Sequence, residues 1–332
     1  MRQPVGLPLK LASYVIGQKL AGIEKYAVVM MLEPLHTCNL SCIGCPPERW
    51  ARPKSEWMSL EECFESVDEC GAPIVSICGG EPLIYKDIVP LTQGIVKRGK
   101  YAIVCTNAIC MPAFLKKMPY TPKVSFAVHI DGMEKTHDWI TKSPGCWKKA
   151  IEATKLAKKA GWRTLINCTV YAQSNIDELV ELFRYVQTLK VDGILVSAGY
   201  DYDHTGSDLF MKKQMVHERF RKLLSLTNER WYGNSSLYLQ FLKGDIDLDC
   251  TAWGNPTRTP KGWQGPCYMI ADGFYKSYGE MVNAIAWENY GPKSGNPKCT
   301  NCLMHCGFEP TVATGRGIPL RQQIAGGIAS IV

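Results

Sequence analysis

Three cysteines, Cys38, Cys42 and Cys45, stand at C-x3-C-x2-C spacing within one short segment. Three thiolates in one loop can hold three corners of an iron–sulfur cubane. The fourth iron then stays open to a small chelating ligand, which a fourth protein thiolate would block. Zinc is the competing reading. Structural zinc takes four protein ligands, and this segment could add only His36. Downstream lies Gly79-Gly80-Glu81-Pro82. Glycines allow close backbone approach, and Glu81 offers an anion to an ammonium group. Near the C-terminus Cys267, Cys299, Cys302 and Cys306 follow C-x31-C-x2-C-x3-C, and Cys250 could replace Cys267. Four thiolates with that tight final spacing read as a second metal site, for either a [4Fe–4S] cluster or zinc.

These groups must be carried by regular elements. From residue 26 short apolar runs alternate with helical patterns. Strands are predicted at Tyr26–Leu32, Ile74–Cys78, Ala102–Cys105, Val124–Ile130, Thr164–Val170 and Gly193–Ser197. Helices are predicted at Ser59–Cys70, Asp87–Arg98, Trp147–Ala160 and Ile176–Leu189. Ser59 and Glu62 read as a capping box. Alternating strands and helices imply a parallel sheet with right-handed crossovers, so the fold class is α/β. Six such units suit a partial (β/α)6 barrel or a doubly wound sheet, and in both ligands sit beyond the carboxyl ends of the strands. The pattern changes after Tyr200. A helix is predicted at Asp208–Thr227, followed by a Gly-, Pro- and Trp-rich stretch and the cysteine-rich tail. The chain is therefore divided into an N-terminal amphipathic helix (1–25), a partial barrel (26–205) and a cysteine-rich C-terminal part (206–332).

Composition narrows the class of function. An apolar fraction of 46% and a charged fraction of 21% exclude disordered and fibrous chains. The net charge, 38 − 31 = +7, is too small and too evenly spread to argue for nucleic acid, although it fits an anionic lipid or cofactor. No apolar run reaches the ~18 residues of a membrane-spanning helix. No signal peptide is visible, so a cytosolic protein is expected, with the N-terminal helix as a candidate contact with the inner membrane face. Fifteen cysteines in a reducing compartment point to metal or redox chemistry rather than disulfides.

The cysteine loop after the first strand, followed by Gly79-Gly80-Glu81-Pro82 after the second, resembles the radical S-adenosylmethionine (SAM) superfamily. The resemblance implies that Cys38, Cys42 and Cys45 hold a [4Fe–4S] cluster and that SAM chelates the open iron. It also implies that the Gly79–Pro82 loop grips the methionine amino end, and that a low-potential donor such as flavodoxin or ferredoxin supplies an electron. Gly44 departs from the aromatic residue often found before the third cysteine. Further segments are similar to the adenosyl-hopene transferase family of hopanoid biosynthesis: Val67–Pro73, Cys105–Ala108, Val128–Gly132, Ile166–Thr169, Trp253–Arg258 and the Cys299/Cys302/Cys306 tail. That likeness implies addition of a 5′-deoxyadenosyl radical to the terminal alkene of hopene, a polycyclic triterpene. A thiol then quenches the substrate radical. Cys105, ending the third strand, is the expected hydrogen-atom donor, with Cys168 as runner-up. His129, Asp131 and Asn167 are expected to meet the nucleoside, and His137 to serve packing. An apolar substrate calls for an aromatic cavity, for which Trp231, Tyr232, Tyr238, Phe241, Trp253, Trp263, Tyr268, Phe274 and Tyr275 are available. The N-terminal helix and the apolar tail Ile324–Val332 are the expected membrane contacts.

Overall fold

The structure is a computed structural model and describes residues 4, 6–200, 208–319 and 321. The tail Ile324–Val332 and the proposed boundary near residue 205 lie outside the described residues.

Six parallel strands come first: β1 (Val29–Leu32), β2 (Ile74–Ile77), β3 (Tyr101–Thr106), β4 (Val124–His129), β5 (Arg163–Val170) and β6 (Gly193–Ala198). Each pairs with the next in sequence, so the parallel sheet expected from the alternation is present. Its strands are almost continuously apolar and buried, as a sheet covered on both faces requires. Crossover helices include Leu60–Cys70, Ile88–Lys97, Cys146–Lys159 and Ile176–Thr188. The first opens on the expected box: Ser59 Oγ accepts from Glu62 N at 3.1 Å, and Glu62 Oε2 accepts from Ser59 N at 2.6 Å. Two short helices, Met111–Lys117 and Glu134–Thr141, escaped the sequence reading. The helix expected at Asp208–Thr227 is shorter, Lys213–Ser225.

The sheet does not stop at β1. Beyond it come β7 (Thr257–Thr259), parallel to β1, then β8 (Gly262–Pro266) and β9 (Ala271–Tyr275), both antiparallel to their neighbours. The six parallel strands curve around an internal space, because all of them contribute lining residues to one cavity. No β6–β7 pairing closes that curve among the described residues. Helix His305–Thr314 fills the gap. Its Glu309 accepts from Ser235 N and Asn234, whose Oδ1 accepts from Val196 N of β6. On the other side Gly307 O accepts from Thr251 N, and Pro310 packs on Gly254, whose carbonyl accepts from Val28 N beside β1. The fold is thus an α/β partial barrel whose open side is sealed by the cysteine-rich C-terminal part.

The N-terminal helix, Leu7–Leu20, buries Leu7 and Leu11 against Tyr26, Val28, Ile74 and Tyr101, at the strand starts. Its opposite stripe is bare: Leu9, Ile16 and Leu20 are 79%, 56% and 85% exposed. No helix among the described residues is long and apolar enough to cross a membrane.

Candidate functional site

The cysteine loop begins one turn beyond β1. Its three thiols are half-buried and free. His36 is not a fourth ligand: its Nε2 lies 2.7 Å from Glu33 Oε2, inside a buried ion pair that Arg49 completes. Arg49 also donates to Tyr268 O at 3.2 Å and lies over the Tyr268 ring, so it ties the loop to the segment carrying Cys267. Trp50 grips the loop from the same stretch. Its indole N–H donates to Cys45 O at 3.1 Å, and its carbonyl accepts from Cys38 N. Burial raises all three thiols, Cys38 to about 11 and Cys45 to about 12. They therefore stay protonated until a metal displaces those protons. Three uncommitted sulfurs on one clamped loop, with no protein fourth, suit a cubane with an open corner better than a closed zinc site. Among the described residues no three His, Cys, Asp or Glu groups close to the spacing of a single metal ion.

The Gly79–Pro82 loop packs directly on this segment. A Cβ on Gly79 would meet Leu35 O at 2.5 Å, and one on Gly80 would meet Thr37 O at 1.9 Å. Gly80 N and Glu81 N donate to those same two carbonyls. The close approach for which the glycines were singled out is thus made to the cysteine loop. Glu81 is fully buried. Its carboxylate accepts from Leu83 N, Thr106 Oγ1 and Asn107 N at 2.9, 2.7 and 2.8 Å. Burial raises its pKa against the pull of those donors. Its partners are the turn Pro82–Ile84 and the end of β3, and at most one acceptor position remains for a ligand.

Gly44 has a structural reason. A Cβ there would lie 2.4 Å from Tyr171 OH, so the ring of Tyr171, just after β5, occupies the space beside the third cysteine. The aromatic group missing from the sequence motif is supplied by a distant segment.

Cys105 lines the internal cavity, of about 250 Å³, and its Sγ lies 3.3 Å from Ser76 Oγ. Burial, with Glu81 adding to it, pushes the thiol up against the Ser76 bond, so it stays S–H. Cys78 lines the same wall. Cys168 does not: Asn167 and Thr169 face the cavity, so alternation along β5 turns Cys168 into the helix-covered core. This removes the runner-up donor. Asn167 reaches the cavity, whereas His129 and Asp131 pair with each other at 2.5 Å outside its lining. Asp131 also accepts from Thr169 N at 2.7 Å and is fully buried. Burial opposes charge on His129, but Asp131 and its hydrogen bond outweigh it and raise the pKa. His137 is a packing histidine, whose Nδ1 accepts from Asp131 N. Of the nine aromatic residues set aside for an apolar ligand, only Tyr268 lines this cavity. Trp263, Tyr238 and Phe241 are core.

Cys267, Cys299, Cys302 and Cys306 do come together, in one cluster with Met269, Ile270 and Met304. Cys250 joins them, its sulfur within 2.6 Å of where a Cβ on Gly307 would sit. Glu309 and Asn255, which the sequence reading missed, also line the Cys105 cavity. No spacing motif marks either one.

Residues 32–186 match the family model described as "Radical SAM superfamily", and residues 194–324 match "Domain of unknown function (DUF3463)". Among curated relatives, the AdoMet-dependent heme synthase of Methanosarcina barkeri is 26% identical over 157 residues, 46% of this chain and 45% of that one. The Fe-coproporphyrin III synthase of the same organism is 24% identical over 68% of this chain and 67% of its own length. The chain thus spans less than half of the first relative. Among solved structures, Streptococcus suis SuiB bound to S-adenosylmethionine superposes with a TM-score of 0.57 at 18% identity, over 76% of this chain and 62% of that one. The fold is therefore the radical SAM partial barrel, and the cofactors of that superfamily are a [4Fe–4S] cluster and SAM. This chain is thus similar to the radical SAM superfamily over residues 32–186 and to the DUF3463 family over residues 194–324.

Proposed function

We propose that this radical SAM enzyme joins the 5′-deoxyadenosyl group to the terminal alkene of hopene, with Cys105 donating the hydrogen atom that completes the product. The observation that carries the reading is a buried thiol, its pKa raised by that burial, on the wall of a partly open, largely apolar cavity. Cys38, Cys42 and Cys45 hold the cluster, Glu33, Arg49 and Trp50 fix their loop, and bound cluster and SAM supply a 5′-deoxyadenosyl radical. Gly79, Gly80, Glu81 and Pro82 brace the end of the pocket where the methionine part of SAM is placed. Asn167 is the residue best sited to meet the ribose.

Addition to a terminal alkene leaves a tertiary carbon radical. An S–H bond is weaker than a tertiary C–H bond, so transfer from Cys105 to that carbon is downhill. Ser76 orients the thiol. The thiyl radical left behind needs one electron and one proton, which flavodoxin or ferredoxin and solvent would return. At about 250 Å³ the cavity lies just below the usual range for ligand pockets, so it takes the reacting end of a triterpene and not the whole polycycle. The remainder would leave toward the N-terminal helix, whose Leu7 and Leu11 share a cluster with the cavity residues Val28, Ile103 and Ala127. We assign the exposed stripe Leu9, Ile16 and Leu20 to peripheral contact with the inner membrane face. Residues 26–205 form the catalytic unit in this reading. Residues 206–332 seal it, and Cys267, Cys299, Cys302 and Cys306 hold a second [4Fe–4S] cluster, with zinc as the competitor. Iron and zinc counted per chain separate the two.

Thiol hydrogens exchange with solvent, which gives the test. Turnover in D2O should place one deuterium on the new tertiary carbon of the adduct. An adduct free of deuterium would remove Cys105 from the reaction. A second reading, an isoprenoid other than hopene that carries a polar group, is favoured by Glu309 and Asn255 in the same cavity.

A further inference from the structure

Glu309 and Asn255 stand on opposite flanks of the sealed side of the barrel. Glu309 belongs to the closing helix His305–Thr314, and Asn255 precedes β7. Both are 7% exposed and both line the cavity that holds Cys105. Glu309 Oε1 is occupied by Ser235 N at 3.0 Å and Asn234 Nδ2 at 3.4 Å. Glu309 Oε2 and Asn255 Oδ1 are buried and have no hydrogen-bond partner. A buried polar atom without a partner is costly, so two acceptors left open in one cavity point to a ligand that brings donors.

The rest of the lining says which donors. Among the described residues no Lys or Arg lines the cavity, which disfavours an anionic ligand. The polar side chains present are hydroxyls and amides (Ser76, Asn167, Thr169, Ser197) beside Asn234 and the one carboxyl. Hydroxyl, amide and carboxyl groups among apolar walls match hydroxyl groups, which can both donate and accept. A trapped water could serve the same acceptors, but it would not discriminate between a ligand hydroxyl and a hydrogen at the same position.

We propose that Glu309 and Asn255 form an acceptor pair that binds a hydroxyl-bearing part of the ligand in this cavity. The proposal rests on the preceding reading only in taking this cavity as the ligand site. Two parts of a reacting complex could carry the hydroxyl: the ribose diol of the adenosyl group, or the isoprenoid.

Calorimetric titration of the anaerobic, cluster-loaded full chain separates them without turnover. One pair of probes is 5′-deoxyadenosine and its 2′,3′-dideoxy counterpart; the other is 3-hydroxylated hopene and diploptene. The wild type should favour the hydroxylated member of one pair by about tenfold or more. The pair that discriminates names the source. Glu309→Gln, which keeps the Oε1 acceptor for Ser235 but turns the free oxygen into a donor, should abolish the preference. Asn255→Leu, of similar size, should do the same, and it decides the matter if the first variant fails to fold. Equal affinities within both pairs, or a preference intact in a folded variant, would overturn the proposal. Discrimination in binding with no adduct formed from diploptene would strike the reaction and leave this site standing.

Discussion

At the residue scale one thiol, Cys105, is the proposed hydrogen-atom donor. Cys105 sits within 3.3 Å of Ser76 and keeps its proton because it is buried. Cys105→Ser should leave SAM cleavage near the wild-type rate and reduce the saturated adduct by about 100-fold or more, since an O–H bond is too strong to give up its hydrogen atom here. Adduct formation close to wild type, followed by mass spectrometry, would move the donor elsewhere. A second residue-scale test uses Glu309, whose carboxyl burial pushes from 4.5 to about 7. A raised carboxyl pKa means that the folded state keeps a proton the unfolded chain has lost. Its contribution to stability therefore falls as pH rises from about 4.5 to 7 and is flat above. Buried His36, His137 and His305, each lowered to about 4, slope the other way between about 4 and 6.5. The difference between wild type and Glu309→Gln isolates the carboxyl. In denaturant titrations that variant should gain on the wild type across this window, reaching roughly 3 kcal/mol at pH 8. A pH-independent difference would contradict the burial of the charge. Part of this chemistry was legible in the sequence. The Cys38, Cys42 and Cys45 spacing and Gly79–Pro82 are local motifs. Glu309, Asn255 and the Tyr171 ring beside Gly44 were not legible, because each acts through a contact between distant segments.

At the element scale the loop after β2 and the loop after β1 form one packed unit. Gly80 is the tightest point, with Thr37 O at 1.9 Å from an added Cβ. Gly80→Ala should cost about 1–3 kcal/mol, the usual penalty of overpacking. It should also lower iron bound at the three-cysteine loop to well under half in anaerobic reconstitution; full iron loading would show that the two loops are independent. The parallel strands and their crossover helices were readable because each carries its own apolar run or cap, as Ser59 and Glu62 do. Strands β7 to β9 were not. They are three to five residues long, β8 and β9 are interrupted by Gly, and their place is fixed by the pairing of β7 with β1, far away in the chain. Cys168 shows the same limit in reverse: its strand was identified, but its face needed the register.

At the scale of the whole molecule, one cavity runs from Cys105 to Glu309 on the sealed side, and its lining residues Val28, Ile103 and Ala127 share a cluster with Leu7 and Leu11 of the N-terminal helix. Replacing Leu9, Ile16 and Leu20 together by Ser should weaken sedimentation with anionic vesicles by about tenfold or more and shift the melting temperature only slightly, because these side chains are mostly exposed. Unchanged vesicle binding would leave the stripe without a role. The central claim is that the adenosyl group ends up on the lipid. Anaerobic incubation of the cluster-loaded chain with reductant, SAM and diploptene, with mass analysis of the lipid fraction, tests it most directly. The expected result is a lipid heavier than diploptene by one 5′-deoxyadenosyl group and one hydrogen. Unaltered diploptene alongside free 5′-deoxyadenosine would contradict it.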